Sequence, residues 1–89
     1  MQREVEIVNE LGLHARPAAE FVRALRDLEC DVFIIKGDAR FSAGSIVEVL
    51  TANLDCGTRV TLEAKGRDAD KALTRLEALL LEFKAQEES

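Results

Sequence analysis

The apolar residues of this chain change their spacing at Pro17, the only proline, and that change restricts the architectures open to it. Ahead of it, in "QREVEIVN" (residues 2–9), Val5 and Ile7 alternate with Glu4 and Glu6. A period of two predicts a half-buried strand. From Pro17 onward, Ala18, Phe21, Val22, Leu25 and Leu28 recur every three or four residues, the stripe of an amphipathic helix. "DVFIIKGDARFSA" (31–43) reads as two strands joined across Gly37-Asp38. In "SIVEVLTANLDCG" (45–57), Ile46, Val49 and Leu50 predict the inner face of a short helix that ends before Gly57. "TRVTLEAKG" (58–66) alternates again, with Val60, Leu62 and Ala64 inward. Finally "RDADKALTRLEALLLEFKAQ" (67–86) places Ala69, Leu73, Leu76, Leu80 and Phe83 on one helical face. Asp68 is a candidate cap for that helix, Asp70 complements its dipole, and the polar "KAQEES" ending is expected to fray.

The resulting order is β-α-β-β-α-β-α. Strands with one apolar face need one cover, and three helices with single apolar stripes can supply it. The expected fold is α+β, an open-faced β-sandwich whose four antiparallel strands are covered by three helices on one face. Glu4, Glu6, Arg59, Thr61 and Glu63 would lie on the wet face. With no linker or repeat, the 89 residues are expected to form one domain, residues 1–89, and 47% hydrophobic residues suffice for its core. The net charge of −5 opposes nucleic-acid binding, which calls for a basic face. No apolar run approaches the roughly 20 residues of a membrane span, and the N-terminus lacks the layout of a secretory signal. Cys30 and Cys56 have no metal-type spacing and are expected to be buried free thiols, in keeping with the cytoplasm.

One stretch asks for chemistry. "LGLHARPAAEF" (11–21) carries the only histidine, His14, then Arg16 and Pro17. Pro17 suits the first position of the helix, so Arg16 would stand at the cap and His14 two residues ahead of it. First-turn amides lack intrahelical partners and form the positive end of the dipole, which stabilises an anion placed beside them. Arg16 adds a guanidinium fork that matches phosphate oxygens. The pattern fits a histidine that accepts a phosphoryl group. It also fits an exposed loop histidine next to a solvated arginine. No neighbouring carboxylate pair or second histidine suggests hydrolysis or a metal site.

"GLHARPAAEFV" (12–22) closely resembles the active-site stretch of the HPr family, the histidine-containing phosphocarriers of the bacterial phosphoenolpyruvate-dependent sugar phosphotransferase system. Length, element order, "SIVEVL" (45–50) and "DCGTRVTLEAKGRDADKALTRLEALL" (55–80) extend the resemblance over nearly the whole chain. The resemblance implies a carrier, not an enzyme in the turnover sense. His14 would take phosphate on Nδ1 from phosphorylated enzyme I and pass it to a sugar-specific IIA domain. Arg16 would contact the phosphoryl group, and Pro17 would open the first helix. No metal or organic cofactor is implied for the carrier itself; magnesium belongs to enzyme I.

Ser45 matches a serine that a kinase/phosphorylase modifies in some branches of the family. Ser45-Ile46-Val47-Glu48 also reads as a capping box, in which the serine hydroxyl and the glutamate carboxylate satisfy helix-start amides reciprocally. Glu48 stands where well-known members carry glycine or lysine. Its charge would oppose a phosphate on Ser45, which makes this serine a poor regulatory site. Ile46 and Val47 are candidate apolar docking residues. Arg23 and Arg26 fit a solvated helix face, or a basic edge that steers an acidic partner. A carrier that shows one face to successive partners is expected to be a monomer. Two other readings stay open: a regulatory HPr-like module acting through its phosphorylation state, in nitrogen-linked signalling or docked on a regulator, and a small ligand-binding domain with an incidental histidine.

Overall fold

The computed structural model describes residues 1–88. The elements are β1 (Gln2–Glu6), α1 (Ala15–Arg23), β2 (Cys30–Lys36), β3 (Ala39–Ser42), α2 (Ile46–Thr51), β4 (Arg59–Gly66) and α3 (Ala69–Glu88). All strand pairs are antiparallel, in the order β1-β4-β2-β3. This is the expected α+β fold, an open four-stranded sheet with three helices. Side-chain parity follows the pairing: Val5 faces Val60, Ile34 faces Leu62 and Val32 faces Ala64, all six buried. α3 lays Ala69, Ala72, Leu73, Leu76, Leu80 and Phe83 over them, and Ala18 and Phe21 of α1 complete the layer. Each such large apolar side chain stabilises by roughly 1.5–3 kcal/mol on burial.

The opposite face is polar at its rim. Arg59 lies 3.7 Å from Glu4 and 3.3 Å from Glu6, and Glu63 accepts from Gln2 at 2.9 Å and Arg40 at 2.7 Å. Arg40 also covers the Phe33 ring at 4.2 Å. These contacts shield the aromatic surface that β2 shows to solvent.

Several local expectations need correction. α1 starts at Ala15, with His14 as its cap, so Pro17 is the third helical residue and not the first. The extended backbone of His14 (φ −76°, ψ −169°) and its carbonyl, which accepts from Ala18 N at 2.9 Å, begin the helix two residues early. Proline is tolerated there because the third amide has no intrahelical acceptor either. α1 ends at Arg23, and tighter i→i+3 turns carry Leu25 and Leu28 onto the core. In α2 only Val49 is buried; Ile46 and Leu50 are about two-fifths exposed, because six residues cover too little sheet to bury a broad face.

Within the described residues the ending expected to fray is held: α3 runs to Glu88, and Glu87 bonds across to the β1–α1 loop, while Ser89 lies outside the described residues. Asp68 caps with its carbonyl, accepting from Ala72 N at 2.8 Å, while its carboxylate accepts from Glu29 N at 2.8 Å. Both thiols are free, yet Cys56 is exposed and Cys30 half-buried. Burial pushes the Cys30 thiol up, with Asp68 and Asp31 adding to it.

Candidate functional site

The loop between β1 and α1 is built to deliver one side chain. Ile7 N donates to Thr58 O (2.9 Å) and Gly57 N to Ile7 O (2.7 Å), which fixes where the loop leaves the sheet. Asn9 turns the chain: its Nδ2 donates to Gly12 O at 2.8 Å, and Gly12 N donates to Asn9 O at 3.1 Å. Gly12 has φ +65°, and a Cβ there would stand 2.5 Å from Leu54 O, so both backbone conformation and space demand glycine. Leu13 N then donates to Leu54 O at 2.9 Å and its side chain enters the core. The next residue, His14, is left outside.

His14 is exposed and sits at the amide end of α1, and its imidazole makes no capping hydrogen bond. The ring is therefore not committed to holding the helix. Ala15 and Arg16 supply the first-turn amides, and Pro17 contributes none. His14, Arg16 and Pro17 line one open depression of about 310 Å³ with Leu11, Glu20, Phe83 and Glu87. Arg16 is exposed there. An anion attached to the imidazole would lie among helix-start amides near a guanidinium, with solvent and a second protein able to reach it.

Glu87 enters the site from the far end of the chain. Its Oε1 accepts from Glu10 N at 2.6 Å and its Oε2 from Leu11 N at 3.0 Å. The Leu11 amide, with those of Glu10 and the Asn9 side chain, holds the Glu87 carboxyl below the usual carboxylate range against an opposing effect of burial. No grouping of three histidine, cysteine, aspartate or glutamate residues among the described residues could hold a metal ion. Nor is any described helix long and apolar enough to cross a membrane.

The other candidates lie outside this depression. Ser45 caps α2, its Oγ accepting from Glu48 N at 3.4 Å. The box is not reciprocal: Glu48 Oε1 accepts from Ser42 N at 2.9 Å, and Ser45 N donates to Ser42 O at 3.3 Å. The turn at Gly44 aims the Ser42 amide at the carboxylate instead. Val47 is 68% exposed beside Ile46 on α2, which packs on α1. Arg23 and Arg26 do not form one edge along the helix. Arg23 borders a groove between α1 and α3, whereas Arg26 lies past the helix end beside Cys30 and Asp31. Asn9, Leu11 and Glu87, which border the depression, were missed from the sequence, and Leu50, read there as an inward helix residue, is exposed. Asn9 three residues before a loop glycine was a usable turn signal, and nothing local marked Glu87.

The family model described as "PTS HPr component phosphorylation site" matches residues 1–82. Phosphocarrier protein NPr of Shewanella violacea is 36% identical over 80 residues, covering 90% of this chain and 88% of that protein. HPr-like protein Crh of Bacillus subtilis is 39% identical over 82 residues, covering 92% and 96%. The crystal structure of HPr-C-His from Thermoanaerobacter tengcongensis superimposes with a TM-score of 0.89 at 30% identity, covering 96% of each chain. A histidine presented at a helix start on this sheet, and a match that runs from the first strand into the last helix, agree in one conclusion: the chain belongs to the HPr family of phosphocarrier proteins of the phosphotransferase system.

Proposed function

We propose that His14 Nδ1 accepts a phosphoryl group from phosphorylated enzyme I and passes it to a IIA domain of a sugar phosphotransferase system. The working unit is one HPr-like domain over residues 1–89, acting in the cytoplasm as a monomer. The observation that carries this is the exposed His14 imidazole, unused as a cap, sharing a depression with Arg16 at the amide end of α1. The step balances without a cofactor. The Nδ1 lone pair attacks phosphorus as the bond from phosphorus to the donor group breaks, and the donor group leaves with that electron pair. The onward step is the same exchange in reverse: the acceptor's lone pair attacks phosphorus, and Nδ1 keeps the electron pair of the breaking P–N bond. Arg16 and the Ala15 and Arg16 amides would hold the equatorial oxygens while charge redistributes. Ile46, Val47 and Leu50 offer a small apolar contact suited to partners that must leave, and Arg23 and Arg26 would steer from separate sides.

The test is a mass measurement after mixing with enzyme I, Mg²⁺ and phosphoenolpyruvate. One acid-labile phosphate is expected, absent in His14→Ala. In Arg16→Ala its rate of gain should fall about ten- to a hundredfold, the size of a lost charge-assisted contact. An unphosphorylated wild-type chain would overturn the reading. The likeness to Crh, a catabolite repression protein by the description of its crystal structure, favours a second role, regulation through the phosphorylation state of His14. Phosphate that loads onto His14 but does not move to any sugar IIA domain would select it.

A further inference from the structure

The crest of the β1–α1 loop has an unusual support. Its base is anchored to the β4 side through Ile7, and its far end to Leu54 through Leu13. Between them, Asn9 and Gly12 close a turn on each other. The amides of Glu10 and Leu11 point away from that turn, and each oxygen of the Glu87 carboxylate accepts one of them, across 77 and 76 residues of sequence. Charge-assisted bonds of this kind are short and directional. The clamp acts four and three residues ahead of His14, and Glu87 borders the same depression. Phe83, one helical turn earlier on α3, is buried in the core and fixes the strut from which Glu87 reaches.

We infer that Glu87 is a positioning residue for phosphoryl acceptance: its carboxylate clamps the Glu10 and Leu11 amides and so fixes the loop that aims the His14 imidazole. The inference rests on His14 being the acceptor. A competing physical effect has the opposite sign. Glu87 is also a negative charge beside an incoming phosphoryl group, and if repulsion dominated, removing it would accelerate acceptance. Position is expected to dominate, because the carboxylate's charge is already met by two N–H dipoles, whereas a misplaced nucleophile loses rate steeply.

Two variants separate these effects. Glu87→Gln keeps the length but loses the charge and one acceptor; Glu87→Asp keeps the charge but is one methylene too short to reach both amides. Each is expected to lower the saturating rate of His14 phosphorylation by enzyme I about five- to tenfold, with the half-saturating carrier concentration unchanged within about twofold. Amide hydrogen exchange of Glu10 and Leu11 should quicken in both, while exchange in β2 and β4 stays as in wild type. Asp70→Asn, at the other end of α3, removes one charge as a control and should leave the rate alone. A Glu87→Gln rate equal to or above wild type, with wild-type phosphorylation intact, overturns the clamp and leaves the carrier reading standing. A wild-type chain that takes no phosphate overturns both.

Discussion

Ser45 shows how a neighbouring residue changes what a motif can do. Its hydroxyl serves the Glu48 amide, and the Glu48 carboxylate is turned onto Ser42 N, so one negative charge already occupies the approach to α2. A phosphate on Ser45 would displace the cap and meet that charge. A family serine kinase with ATP should therefore leave Ser45 largely unmodified over a time that phosphorylates a standard substrate fully, and Glu48→Gln should raise the extent several-fold. Rapid stoichiometric modification of the wild-type serine, read by acid-stable mass gain, would contradict this. The serine itself was legible in the sequence, and so was its cap. The direction of Glu48 was not, because it depends on how the chain turns at Gly44.

At the scale of elements, burial decides how well a segment can be read. β4 and α3 bury complete stripes, and their inward residues follow from period alone: Val60, Leu62 and Ala64 in one, Leu73, Leu76 and Leu80 in the other. α2 defeats the same reading, since a six-residue helix makes too little contact for its pattern to fix its orientation. The start of α1 was misplaced because it depends on the Leu13–Leu54 hydrogen bond, a contact that no local rule contains. Leu76 and Leu81 on α3 provide the matching stability test. Leu76 is fully buried, and Leu76→Ala should cost about 2–5 kcal/mol in denaturant unfolding. Leu81 is 61% exposed, and Leu81→Ala should stay within about 0.5 kcal/mol. Equal losses would mean that α3 is not seated on the sheet as described.

For the whole molecule, the titrating groups bound the stable pH range on both sides. Arg75 donates to Asp27, Gln2 to Glu63 and the Leu11 amide to Glu87, and these bonds hold all three carboxyls below their ordinary values. Groups depressed in this way stabilise the fold above the unfolded carboxylate range, near pH 4, and that contribution disappears as pH falls through the folded values. Cys30 is shifted upward, so its contribution is complete below the unfolded thiol range and is lost as pH rises through the folded value. The denaturation midpoint should fall on both the acid and the alkaline side of neutrality. A midpoint unchanged between pH 7 and pH 2.5 would contradict the acid limb.

The pairing of β1 with β4 has a consequence for how the chain is made. Gln2 lies opposite Glu63 and Glu6 opposite Arg59, so β1 has no partner until about sixty further residues have left the ribosome. The setting of His14 waits longer still, because its loop leans on Leu54 and then on Glu87. During translation the imidazole travels on an unfinished surface, and only when the last turns of α3 have emerged and docked does it gain a fixed aim.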